Sequence, residues 1–237
     1  MLYLLLHIIG DFFLQSDMNA KRKEQDFHHV LSHALLYAVP FFVTSLFIVS
    51  PKTWLVQAVI LSIAHLVVDT MKYVFLKHRT GNDTLLFIVD QSIHLTILAV
   101  MAFVTFGLWQ DVRVANWMYR ILSILDINDA DTLSWICMLL VVGKPANITI
   151  RQILSQYKPP VQEVAKMNAG AMIGTLERII MLLLLGMGQY AAIALVLTAK
   201  SIARYDMLKD KVFAEYYLLG TLLSTLLVLT VSILFSP

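Results

Sequence analysis

The chain has 237 residues, of which 59% are hydrophobic and 14% charged, with a formal net charge of +2. Soluble domains carry roughly 25% charged residues, so this composition excludes an ordinary soluble domain; the net charge itself says nothing about nucleic acid, which is not an expected partner, and where the charges sit matters more. The single cysteine, Cys137, excludes an intrachain disulfide and a cysteine-built metal site.

Long apolar runs recur along the chain, each near the roughly 20 residues that cross a bilayer as a helix. They are continuous rather than alternating, which predicts an all-α polytopic transmembrane helical bundle and not a barrel. About eight spans are expected, near residues 1–15, 28–49, 54–77, 85–109, 133–150, 170–188, 190–205 and 215–235. The first run lacks a basic flank and a small-residue cleavage site, and Asp11 interrupts it, so it reads as a retained helix rather than a signal peptide. It is short, and the fifth run is broken by Lys144-Pro145. Between spans four and five, "VANWMYRILSIL" (residues 114–125) places Val114, Trp117, Met118, Ile121 and Leu125 on one face, which predicts a helix lying along the membrane surface. An acidic turn, residues 126–131, follows it, and a polar linker with Pro159-Pro160 occupies 157–166. The chain therefore divides into a four-helix half, 1–109, an interfacial segment, 110–132, and a C-terminal half, 133–237.

Lys and Arg set the orientation. Alternate connections hold Lys21, Arg22, Lys23, Lys77, Arg79, Arg151, Lys158, Lys166, Arg204, Lys209 and Lys211, whereas the opposite ones hold only Lys52, Arg113 and Arg120. The first set is expected to face the cytoplasm of a plasma (inner) membrane, which leaves both termini outside. Trp54, Trp109, Trp117 and Trp135 then fall at the outer ends, as an interfacial belt would.

The first four spans carry residues that lipid does not tolerate alone. They hold His7 and Asp11, His29 and His33, His65 and Asp69, and Asp90 and His94. Each pair is spaced by four, just over one helical turn, so its members project from one face. With seven histidines and 16 acids in the chain, a pair at a given spacing is expected at about one position in a hundred, and more rarely inside apolar runs. The orientation above also places Asp11, His33, Asp69 and Asp90 at one depth, near the cytoplasmic ends of their helices. Imidazole with carboxylate suits a divalent metal such as zinc, manganese or iron. Eight groups exceed one tetrahedral ion and suit two, with some acting as outer partners. Helix–helix hydrogen bonding and proton relay are the competing readings for such residues. His28 reads equally as an interfacial residue at a helix start or as a spare ligand, and His78 as a solvated loop residue.

In the C-terminal half, Lys144, Glu177, Arg178, Lys200, Arg204 and Glu215 fall near the same membrane side. Part of this set is expected to pair internally. The cationic surplus marks Arg178, Lys200 and Arg204 as candidates for holding an anionic group such as phosphate, against snorkelling to the interface. Gly170 and Gly174 read as a close-packing pair.

"HIIGDFFLQ", "HHVLSHAL", "AHLVVDTMK" and "VDQSIHL", with "GTLERII", "AKSIARY" and "EYYLLGTLLS" near the end, resemble an uncharacterised family of bacterial integral membrane proteins, domain of unknown function 3307. The resemblance spans most of the chain except residues 105–165 and lends no activity. The N-terminal half is also loosely similar to membrane-bound metal-dependent hydrolases. The leading expectation is a metal-dependent hydrolase of a phosphorylated or lipid-linked substrate in the lipid bilayer. Alternatives are a divalent cation or proton transporter, a di-iron lipid-modifying oxygenase, and a structural protein with a stabilising metal. The nearly apolar outer halves of spans one to four count against a pore.

Overall fold

A computed structural model describes residues 1–78, 83–108, 114–125, 130–157 and 168–235. The linker around Pro159-Pro160, the turn at 126–129, Trp109, Arg79, Arg113, Lys158, Lys166 and the His78 side chain lie outside the described residues. The described regular structure is helical, as the continuous apolar runs predict. Among the described residues, five stretches are long and apolar enough to cross a membrane: Phe27–Phe47, Pro51–Lys77, Thr84–Gly107, Asp131–Tyr157 and Lys211–Phe235. Leu2–Phe13 and Tyr190–Ile202 are apolar but shorter. The expected eight spans thus resolve into five membrane-length stretches, two short apolar helices and the 19-residue helix Asn168–Gly186.

The chain forms two compact units, Met1–Leu133 and Ser134–Pro237. In the first, α1 (Leu2–His7) runs directly into a π-helical stretch, Ile8–Phe13. The wider register is closed by Leu14 N–H donating to Ile9 O across five residues, at 2.9 Å. π-Helical turns insert an extra residue and re-aim side chains, and they concentrate at functional positions. Here the re-aimed residue is Asp11. Gly10, beside it, permits close approach of the next helix: a Cβ there would lie 3.0 Å from both the Tyr37 ring and the Tyr37 carbonyl oxygen.

Helix α2 (Asp17–Arg22) is N-capped by Ser16, whose side chain accepts from Asn19 N–H at 3.2 Å. Helix α3 (Phe27–Thr44) is capped by Asp26, which accepts from His28 N–H at 2.9 Å. Helices α4 (Pro51–His78) and α5 (Asp83–Leu108) complete a bundle with α1 and α3. The core of one end of this bundle is apolar, built from Tyr3, Leu6, Phe41, Trp54, Leu61 and Leu98 among others. Trp54 is 1% exposed, stacks on Tyr3 at 5.4 Å and donates its indole N–H to Phe41 O at 2.7 Å. It is therefore a core residue and not part of an outer belt. Residues on the outer faces, such as Leu35, Ile63, Phe103 and Phe106, are exposed. Helix α6 (Asn116–Ile124) forms where the amphipathic pattern predicts it, with Trp117, Ile121 and Ile124 exposed and Trp117 against Phe47.

The second unit packs α9 (Asn168–Gly186) and α11 (Lys211–Phe235) around Met138, Val142, Met181, Leu182, Val228 and Val231. Its other helices are α7 (Ala130–Val142), α8 (Lys144–Leu154) and α10 (Tyr190–Ile202). The sequence-predicted break at Lys144-Pro145 falls at Gly143, between α7 and α8. Proline lacks the N–H that would continue the ladder, and the break leaves Val142 O free to accept from another group.

Candidate metal centre

Each pair of the first four spans lies on a different helix, so the site depends on how the helices register. Six of the eight candidates converge. His7, Asp11, His33, His65, Asp69 and His94 are all buried, none more than 7% exposed. His33 is the hub. Its Nε2 lies 3.0 Å from Asp11 Oδ1, 3.2 Å from His65 Nε2 and 3.6 Å from Asp69 Oδ2. His65 Nε2 is also 3.6 Å from Asp69 Oδ2. Asp11, His33 and His65 form one group able to hold an ion, and His65, Asp69 and His94 form another.

A neutral imidazole has one N–H, and His33 Nε2 faces Asp11 Oδ1, His65 Nε2 and Asp69 Oδ2 at once. A cation among them satisfies all of them. Ligands about 2.1 Å from a tetrahedral ion lie about 3.4 Å from one another, and the four measured separations, 3.0 to 3.6 Å, bracket that edge. Imidazole and carboxylate together suit a divalent metal, and each of the two groups could hold one.

The rings are oriented from behind. His65 lies flat on Tyr37, with centroids 3.6 Å apart and planes 3° apart. Tyr37 OH is 3.2 Å from His7 Nδ1. His94 Nδ1 donates to the backbone oxygen of Asp90 at 2.9 Å, which fixes its tautomer and leaves Nε2 as the free lone pair.

Two expected ligands stand elsewhere. His29 is half-buried near the start of α3 and its Nδ1 is 2.8 Å from Asn19 Oδ1, so α2 takes it out of the layer. Asp90 lies behind His94, where Lys72 Nζ meets its Oδ2 at 3.0 Å and Gln91 Nε2 donates to that oxygen at 3.3 Å. It stands in neither of the two groups able to hold an ion.

Sequence reasoning missed four contributors: Lys23, Tyr37, Lys72 and Gln91. Lys23 Nζ reaches Asp69 Oδ2 at 3.1 Å, and Gln91 Nε2 donates to Asp11 Oδ2 at 3.2 Å. Burial of the Lys23 ammonium opposes its charge, but the Asp69 and Asp11 carboxylates outweigh burial and raise its pKa. Tyr37 sits four residues after His33, a spacing that placed it on the same face. Gln91 adjoins Asp90. The two lysines carried no such signal.

In the second unit, Arg178 and Lys200 have local partners. Arg178 is 2% exposed. Its Nε donates to Val142 O at 2.7 Å, the carbonyl freed by the α7–α8 break. Its terminal nitrogens donate to Asn147 Oδ1 at 2.6 Å, Ser224 Oγ at 3.3 Å and Thr175 Oγ1 at 3.4 Å. Most of its five N–H donors are thus engaged inside the unit. Lys200 Nζ is 2.6 Å from Glu177 Oε2 and donates to Thr221 Oγ1 at 3.2 Å. Arg204 is half-buried after the end of α10.

The family model of a protein of unknown function (DUF3307) matches residues 1–121. The chain belongs to that family. The match contains every residue of the metal centre and ends before the second unit, so the three C-terminal motifs lie outside it. No curated protein and no solved structure matches the chain.

Proposed function

We propose that this is an integral membrane metalloenzyme with an ion held by Asp11, His33, His65 and Asp69, acting as a hydrolase of a phosphorylated or lipid-linked substrate at the cytoplasmic leaflet. The observation that carries it is the convergence of four buried ligand residues from three helical segments, with four separations of 3.0 to 3.6 Å among their ligand atoms. Zinc, manganese and iron all accept imidazole with carboxylate. Such an ion, when bound, supplies Lewis acidity and an activated water.

The chain's own groups provide the rest. Tyr37 and the Asp90 backbone oxygen hold His65, His7 and His94 in orientation. Lys23 neutralises Asp69. When Asp69 turns to an ion, the Lys23 ammonium is released to meet an anionic oxygen, which takes over the role expected of Arg178, Lys200 and Arg204. The core on the other side of the histidines along each helix is mostly apolar, with Leu6, Phe41, Leu61 and Leu98, and its polar groups there include Tyr3, Gln57 and Thr105, which bond to one another through the Tyr3 hydroxyl. The scarcity of polar lining on that side favours hydrolysis over transport, since a transit route needs polar lining on both sides of its site.

The test is elemental analysis of the full chain in detergent, together with hydrolysis of a chromogenic phosphate monoester and of phosphatidic acid in mixed micelles. Wild type is expected to hold zinc or manganese and to hydrolyse at least one probe. His33→Ala and Asp69→Asn are expected to lose both properties, and His29→Ala to keep both. Purified wild type without metal overturns the site. Bound metal with no hydrolysis overturns the reaction, and oxygen-dependent turnover with iron moves the assignment to an oxygenase.

A further inference from the structure

The four-ligand site leaves His7 and His94 over, although His94 also stands with His65 and Asp69 in a group able to hold an ion. Among the described residues, His7 Nε2 and His94 Nε2 have no hydrogen-bond partner, although their residues are 1% and 3% exposed. A buried polar atom without a partner costs about 1–3 kcal/mol, so two of them beside one site require a reason. Both rings have the opposite nitrogen occupied. His94 Nδ1 donates to Asp90 O, and His7 Nδ1 meets Tyr37 OH. His94 Nε2 is thereby left as a lone pair, the form that ligates metal, and His7 Nε2 is the same when Nδ1 donates to the Tyr37 hydroxyl oxygen.

The two rings are also spaced for a shared ion. Imidazoles bound through nitrogen to one tetrahedral ion have centroids about 5 Å apart. His33 and His65 are 5.1 Å apart by that measure, and His7 and His94 are 5.5 Å apart. Asp11 links the two pairs. Its Oδ1 faces His33 Nε2 at 3.0 Å and its Oδ2 faces His7 Nε2 at 3.9 Å. Its position on the π-helical stretch puts it between them.

We propose that His7, His94 and the second oxygen of Asp11 form a second cation site, so that Asp11 bridges a dinuclear centre. This rests on the metal site proposed above and adds its nuclearity. Two ions bridged by a carboxylate stand about 3.5–4 Å apart, the arrangement that clamps both the attacking and the leaving oxygen of a phosphoryl transfer. The second ion is the weaker one, because its only carboxylate is shared. The substrate class that fits such a centre is a phosphate ester.

The test uses Mn2+ alone, titrated into metal-stripped full-length protein in detergent and followed by bound equivalents and electron paramagnetic resonance. Wild type is expected to bind two equivalents and to show an exchange-coupled spectrum once the second has bound. His94→Ala and His7→Ala are each expected to bind one equivalent with an uncoupled six-line signal. His33→Ala is expected to lose the tighter site. One equivalent in wild type, lost in His33→Ala and unchanged in His94→Ala, overturns the second site and leaves the first standing. No binding in wild type overturns both. Two uncoupled ions in wild type overturn the Asp11 bridge. Should a variant fail to fold, the wild-type count and coupling decide the proposal by themselves.

Discussion

Replacing Lys23 with methionine is expected to move two measurements in opposite directions. Methionine keeps most of the length of the side chain and removes the ammonium that lies 3.1 Å from Asp69 Oδ2. With an effective dielectric of about 20, a pair at that distance attracts by about 5 kcal/mol before desolvation is counted. Breaking such a pair from one side leaves a carboxylate uncompensated, and costs about 3 kcal/mol or more. Metal-free Lys23→Met is therefore expected to melt several degrees below wild type. Metal binding responds the other way. An ion bonded to Asp69 Oδ2 would sit within about 5 Å of the ammonium, and their repulsion at the same dielectric is about 6 kcal/mol. Lysine relieves most of that by swinging its flexible stem away, so a ten- to hundred-fold gain in affinity is expected in the variant. The assay is thermal unfolding in detergent with and without Zn2+, paired with a competition titration against a chelator. The pH dependence has a definite sign. The folded-state pKa of Lys23 is raised, so its stabilisation is complete below the unfolded lysine value of about 10.4 and is lost as pH rises through the folded value. The gap in metal-free stability between wild type and variant is then constant from pH 6 to 9, and closes only in strong alkali. Weaker metal binding in Lys23→Met would refute the competition, and an unchanged metal-free melting point would refute the ion pair.

Gly10→Ala tests the close approach of the π-helical stretch to α3: its Cβ would meet Tyr37 backbone and ring at 3.0 Å. A cost of about 1–3 kcal/mol is expected from the forced shift, and because Asp11 is the next residue, metal affinity should fall with it; wild-type affinity with lowered stability would separate packing from the site. Arg178→Ala removes the partner of Val142 O and Asn147, and should destabilise by about 3 kcal/mol or more while leaving metal content at the wild-type level. Free tolerance of that change in a thermal melt would show that the α7–α8 break does not depend on the guanidinium.

The pairs spaced by four were legible because helical periodicity alone puts such residues on one face, and His65 with Asp69 or His7 with Asp11 needed nothing more. The limit of the same rule is seen at His29. Spacing puts it on the face of His33, but it lies in the first turn of α3, where α2 supplies Asn19. Asp90 shows a second limit, since periodicity does not say which carboxylate a neighbouring lysine takes up, and Lys72 takes this one. Lys23 read as a topogenic charge because its partner, Asp69, is 46 residues away, and long flexible stems carry no register. Trp54 illustrates the same gap in the packing. Its position suits an interfacial belt, yet an indole N–H that finds a backbone carbonyl such as Phe41 O is more stable buried. In the second unit, the proline break was visible, whereas the use of its freed carbonyl by Arg178 depended on a helix 36 residues away.

Charge explains why this donor set suits a membrane interior. Two carboxylates, Asp11 and Asp69, balance one divalent ion, and a neutral cluster avoids much of the cost of burying charge in a medium of low dielectric. Without an ion, Lys23 supplies part of that balance at Asp69, and Lys72 does the same at Asp90. A second ion at His7 and His94 brings two further positive charges against a carboxylate already shared, with Asp90 committed to Lys72. Such an ion is held more tightly with an added anion. Hydroxide supplies one charge, and the oxygens of a phosphate ester supply one or two, at the place where Lys23 is released from Asp69. Nuclearity and substrate are thereby coupled, and inorganic phosphate should tighten binding of the second Mn2+ while leaving the first unchanged.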